Sequence, residues 1–86
     1  MPRICEFSGI VITMHWLDHP PPHFHAAYGG ASATVRIDDG SILGGALPLS
    51  AQRVVTAWAT ARRADLTANR DRAMRHEPIA PVAPLR

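Results

Sequence analysis

The sequence predicts an α+β fold, an antiparallel meander of four or five strands with one long C-terminal helix packed on one face. Three observations predict it. Apolar and polar residues alternate through much of the first forty positions, the period of a half-buried strand. Short turn signals recur between the alternating runs, at Ser8-Gly9, Gly29-Gly30 and Asp39-Gly40. From residue 48 the apolar period lengthens to that of a helix.

The elements follow in order. Residues 4–7 and 10–16 read as two strands around Ser8-Gly9, which sets Phe7 opposite Ile10 and Cys5 opposite Ile12. Residues 17–22 form a loop. Its prolines cannot donate to a ladder, and Asp18 before them suits a turn that bonds its own backbone. Residues 23–28 make the third strand, with Phe24, Ala26 and Tyr28 on one face. Across Gly29-Gly30 these meet Val35, Ala33 and Ala31. Asp39-Gly40 then sets Ile37 opposite Ile42, and Gly44-Gly45 breaks the strand pattern.

Pro48 suits a helix start. Ala51, Val54, Val55, Trp58 and Ala61 make an apolar stripe within a helical region running to residue 75. Residues 1–76 thus read as a single domain. The last stretch, 77–86, holds Pro78, Pro81 and Pro84. It reads as an extended strap or tail, with Ile79, Val82 and Leu85 placed to pack on the body or on a partner.

Composition bounds the function. The chain has 86 residues, 47% of them hydrophobic, enough for one core and against wholesale disorder. Its one cysteine, Cys5, sits among apolar residues and reads as a buried, inert thiol. There is no membrane-length apolar run and no signal-peptide core, so the expected location is the cytoplasm, without membrane association. The net charge of +2 is uneven. Residues 1–50 balance to −2, and residues 51–86, with seven arginines against Asp65, Asp71 and Glu77, balance to +4. That basic half reads as a solvated helix face, or as a surface that meets nucleic acid or an acidic protein.

Strand parity gathers the polar residues on the face away from the helix. His15 falls opposite His23, Thr13 opposite His25, Thr34 beside His25 and Arg36 beside His23. Asp18 and His19 overhang one end. Three readings compete. A divalent metal would take His23 and His25, a His-x-His pair on one face, with His19 or Asp18 closing the shell and His15 as a further ligand. Arg36 opposes this, since a cation repels a cation. A metal-free site would use His23 or His25 as general base toward a ribose 2′-hydroxyl. Arg36 would stabilise phosphate charge, and Thr13 and Thr34 would orient the substrate. The third reading is a protein interface, or plain hydrogen-bonded strand residues. Whether the protein is an enzyme stays open. No phosphate-binding glycine loop, CxxC pair or serine elbow is present.

Several segments together carry a family resemblance: Pro2-x-Ile4, Phe7-x-Gly9-Ile10, Met14, Asp18-His19-x-Pro21-Pro22-His23-Phe24-His25-Ala26-x-Tyr28, Gly44-x-Ala46-Leu47-Pro48 and Val55-x-x-Trp58. The chain resembles the small bacterial proteins grouped as the domain of unknown function 4160 family. Arg70 departs from the pattern, since relatives tend to carry an aromatic after an asparagine. His15 lies outside the shared motif, which weakens a three-histidine metal shell. The resemblance implies one half of a two-gene module similar to toxin–antitoxin pairs, with a small cognate protein encoded nearby. It adds weight to a partner-binding protein and to an RNA-directed toxin alike, without saying which half this chain is, and its central motif falls on Asp18, His19, His23, Phe24 and His25. In the toxin reading the strand geometry gives His23, His25 and Arg36 the catalytic roles, with Asp18, His19, His15 and Thr34 as binding residues. The competing readings are a non-enzymatic antitoxin or regulator and a divalent-metal-binding protein. Exposed sheet edges add pairing into a homodimer as a further expectation.

Overall fold

The computed structural model describes residues 3–14 and 21–85. Arg3–Phe7 (β1), Ile10–Thr13 (β2), His23–Tyr28 (β3), Ala31–Arg36 (β4) and Ile42–Ala46 (β5) form one antiparallel sheet, ordered in space as in the chain. Leu49–Ala61 (α1) and Arg63–Met74 (α2) follow. The architecture is α+β with five strands.

The β1–β2 and β3–β4 registers are those that their two-residue turns predict, and the β2–β3 register is the one that keeps the apolar residues on a single face. Ser8 and Gly9 take φ of 52° and 77°, the paired positive values of a type I′ turn. Phe7 therefore faces Ile10, and Cys5 faces Ile12. Ile12 pairs with Ala26, and Thr13 with His25. Phe24 pairs with Val35, Ala26 with Ala33 and Tyr28 with Ala31. The apolar residues fall on one face, where Ile10, Ile12, Phe24, Val35 and Ile37 are buried against Val55, Trp58 and Leu66 of the helices. The Trp58 indole takes the Phe24 ring edge-on at 5.5 Å and the Phe7 ring tilted at 6.0 Å.

The last hairpin differs from the sequence expectation. Ile42 faces Val35 and not Ile37. Gly40 N–H donates to the Arg36 carbonyl, and Arg36 N–H to the Ser41 carbonyl, so the loop spans Ile37 to Gly40. Ser41 N–H closes it on the Asp39 carboxylate at 2.9 Å, which holds that carboxyl below its usual range. Ile37 is freed to enter the core, and its N–H reaches the Pro22 carbonyl at 3.0 Å. Nor does Gly44-Gly45 end the strand. β5 runs through both and bulges between its pairs to Thr34 and Val35.

Gly45 is needed there for two reasons. Its φ is +75°, and a Cβ would run into the Ser32 carbonyl oxygen and lie 3.0 Å from the Ala33 Cα. We expect Gly45→Ala to destabilise the protein by about 2–3 kcal/mol, since backbone must move to admit the methyl. Gly44→Ala, which meets nothing within 4 Å, is the control and should change stability by less than about 1 kcal/mol. Urea titration of both variants, followed by far-ultraviolet circular dichroism, checks the contrast.

The single long helix expected over residues 48–75 is in fact two. Arg62 leaves helical geometry at φ −110° and ψ 20°. A straight helix over residues 49–74 would run about 39 Å at 1.5 Å per residue, beyond the 34 Å longest dimension of the molecule. The bend keeps Ala51, Val55, Trp58 and Ala59 of α1, and Leu66, Asn69 and Ala73 of α2, buried. Among the described residues, no helix is long and apolar enough to cross a membrane.

After α2 the chain reverses. Glu77 N–H donates to the Arg72 carbonyl and His76 N–H to the Ala73 carbonyl, the bond pair of a Schellman cap. The following segment is held mainly through its backbone. The Asn69 side chain donates to the Ala80 carbonyl at 2.8 Å and accepts from the Ala80 N–H at 2.9 Å. Trp58 Nε1 donates to the Ala83 carbonyl at 2.8 Å, and Arg62 Nη2 to the Pro84 carbonyl at 2.7 Å. Val82 is buried, and its N–H reaches the Ile4 carbonyl on β1 at 2.8 Å.

Candidate functional site

The sheet face turned away from the helices carries the polar residues. In β3, side chains alternate, so Phe24 and Ala26 enter the core while His23 and His25 point outward. Neighbouring strands complete two rows. Thr13, His25 and Thr34 lie side by side across β2, β3 and β4, and His23 lies directly opposite Arg36. The two imidazoles meet edge-on at 5.3 Å, with an interplanar angle of 87°.

The local sequence fixes the His23 ring. Its Nδ1 lies 2.8 Å from the Pro21 carbonyl oxygen. A carbonyl only accepts, so Nδ1 carries the proton and donates it. In the neutral ring Nε2 then bears the lone pair. The two prolines serve different partners, since the Pro22 carbonyl takes the Ile37 N–H. The Thr34 hydroxyl approaches His25 Nδ1 at 3.4 Å, a long contact that orients the ring more than it binds it. His23, His25, Thr13, Thr34 and Arg36 are all half-buried, open enough to meet a ligand and fixed enough to present one geometry.

Arg36 brings charge. Its Nη2 is 3.6 Å from the Asp38 carboxylate, while its Nε is buried without a hydrogen-bond partner. An exposed ion pair at that distance contributes little, so an incoming anion can compete for the guanidinium. Arg3 and Glu6 pair at 2.9 Å further along the same face, on β1.

Of the residues singled out from sequence, the structure brings together His23, His25, Thr13, Thr34 and Arg36. His15, Asp18 and His19 lie outside the described residues. Among the described residues, no group of three histidine, cysteine, aspartate or glutamate side chains is placed to hold a metal ion. Cys5 is buried, and burial pushes its thiol pKa up, away from the reactive thiolate. His76 stands at the α2 cap, with positive φ. Three of the arginines of the basic half have partners in or beside α2. Arg70 pairs with Asp71, Arg75 with Glu77, and Arg72 donates to Asn69 Oδ1.

Sequence reasoning missed two partners of this site. Asp38 shares the turn with Asp39, and parity does not say which carboxylate meets Arg36. The Pro21 carbonyl carries no side-chain signal, although a ring two residues after a proline is within reach of it.

A family model described as Domain of unknown function (DUF4160) matches residues 9–69. That span runs from the first turn through the histidine strand to Asn69. No curated protein and no solved structure matches the chain.

Proposed function

The chain belongs to the domain of unknown function 4160 family, and on that premise we propose that it is the RNA-directed toxin of a two-protein, toxin–antitoxin-like module. One observation carries the reading. His23 and His25 stand 5.3 Å apart on an outward face, with Arg36 opposite His23. A phosphodiester offers this arrangement an anion for Arg36 and two oxygens that exchange protons.

The reaction is a transesterification. His23 Nε2 accepts the proton of the ribose 2′-hydroxyl, and the 2′ oxygen attacks the adjacent phosphorus. The bond from phosphorus to the 5′ oxygen breaks, and that oxygen takes a proton from the His25 imidazolium. The products are a 2′,3′-cyclic phosphate and a 5′-hydroxyl end. Proton exchange with water resets both rings. Arg36 stabilises the extra charge on the phosphoryl oxygens.

Expression alone should arrest growth, and co-expression of the neighbouring gene's product should relieve the arrest. In vitro, His23→Ala or His25→Ala should slow RNA cleavage about 10²–10⁴-fold, and a 2′-deoxy substitution at the cut site should stop it. Harmless expression of soluble protein overturns the toxin assignment. If the neighbouring product then binds this face, the protein is a binding module, the antitoxin or regulator of the pair.

A further inference from the structure

The segment after α2 is seated as a bound peptide. Its prolines, Pro78, Pro81 and Pro84, are exposed, while Val82 is buried and Ile79 and Leu85 are half-buried. Inward and outward positions thus repeat every third residue, the period of a polyproline II helix. The groove reads mainly backbone. Asn69 satisfies both polar groups of Ala80, Trp58 and Arg62 donate to the carbonyls of Ala83 and Pro84, and Ile4 accepts from Val82. Asn69 is wholly buried, with Arg72 held on its Oδ1 at 2.9 Å.

The connection that folds this segment back is a single strained turn. His76 occupies the left-handed position of the Schellman cap, φ +58°, where glycine is the usual residue. A side chain there is disfavoured. Two residues on, Pro78 stiffens the exit. If His76 relaxes to negative φ, the turn opens and residues 78–85 leave their own groove.

We propose that the groove formed by Ile4, Trp58, Arg62 and Asn69 also receives the 78–85 segment of a second copy of this chain, giving a strap-exchanged dimer. A second copy's segment fits because every groove contact is kept when the segment arrives in trans. Only the hinge changes, and it loses its strain, the condition under which exchange is favoured. The closed form is held by the millimolar effective concentration of a tethered segment, so exchange grows as protein concentration approaches that level.

The test uses the full chain and two hinge variants, His76→Gly and His76→Val. Both remove the imidazole, but glycine tolerates the left-handed turn and β-branched valine opposes it. Light scattering across micromolar to millimolar protein should show the native chain shifting from 9.3 kDa toward twice that mass. The monomer–dimer midpoint of His76→Val should lie more than about tenfold below that of His76→Gly. In a mixture of labelled and unlabelled native chains, isotope-filtered spectra should place the Trp58 indole N–H of one chain beside Val82 and Ala83 of the other. A native chain that stays monomeric to millimolar concentration overturns the proposal. So does a dimer whose midpoint ignores residue 76, or one whose Trp58 contacts are all within a chain. If His76→Val does not fold, the native chain and His76→Gly decide by the same midpoint shift and spectra.

Discussion

Trp58→Ala is expected to lower the unfolding free energy by about 4 kcal/mol, within the range for deleting a buried aromatic side chain. For a domain of this size that is a large part of the whole stability. The indole is wholly buried where α1 crosses the sheet, with Phe24 edge-on at 5.5 Å and Phe7 at 6.0 Å. Three elements therefore face the cavity that alanine leaves. The indole also donates to the Ala83 carbonyl, so the substitution releases the C-terminal segment as well. Trp58→Phe separates the two effects. It keeps most of the ring volume and loses the donor, and should lower stability by about 2 kcal/mol. Chemical denaturation followed by far-ultraviolet circular dichroism ranks the three proteins. Equal stability of Trp58→Ala and the native chain would remove the indole from the centre of the core.

Asn69→Leu is expected to destabilise by about 3 kcal/mol, although leucine is the better helix former and has the same number of side-chain heavy atoms in the same branching. The loss comes from the partners. The Ala80 N–H and carbonyl each lose their bond to the amide, and Arg72 loses its acceptor. A buried backbone group left unpaired costs about 1–3 kcal/mol. Asn69→Asp keeps the acceptor oxygens but loses the donor toward the Ala80 carbonyl, and it puts a carboxylate in a fully buried site. The Arg72 guanidinium, 2.9 Å from Oδ1, would pair that charge, so Asn69→Asp should destabilise near neutral pH without the full penalty of an unpaired buried carboxylate. Amide exchange gives the specific readout. In Asn69→Leu the Ala80 and Val82 amides should exchange much faster than the Phe24 and Val35 amides, because the strap loosens before the sheet does. Unchanged protection at Ala80 would count against the pairing.

Most of the sheet was legible because a hairpin turn fixes parity. Once Ser8-Gly9 and Gly29-Gly30 are read as two-residue turns, the partners within each hairpin follow, including His23 opposite Arg36, and keeping the apolar residues on one face then sets β2 against β3. The third hairpin misled because Asp39-Gly40 is also compatible with a longer loop. The choice was made by Ile37, whose burial and bond to Pro22 are tertiary. The helix bend at Arg62 leaves no trace in the sequence, since no glycine or proline marks it. The stripe Val55, Trp58, Leu66, Asn69 and Ala73 keeps helical spacing straight through. Asn69 was not legible, since the stripe read from the sequence runs from Ala51 to Ala61 and the pattern weakens beyond Leu66. The site divides in the same way. Parity places His23, His25, Thr34 and Arg36, whereas the bond from His23 to the Pro21 carbonyl depends on loop geometry that parity does not reach.

The meander also bears on how the chain reaches this fold. Every strand pairs with its sequence neighbour, so the sheet closes only short loops on its way to completion. Such local topologies fold early and fast. The bond from the Val82 N–H to the Ile4 carbonyl is of another kind, since it joins the two ends of the described chain. Its loop-closure entropy is the largest in the molecule if formed first, and small once the sheet and helices stand. Loop-closure entropy therefore favours docking the C-terminal segment after the sheet and helices.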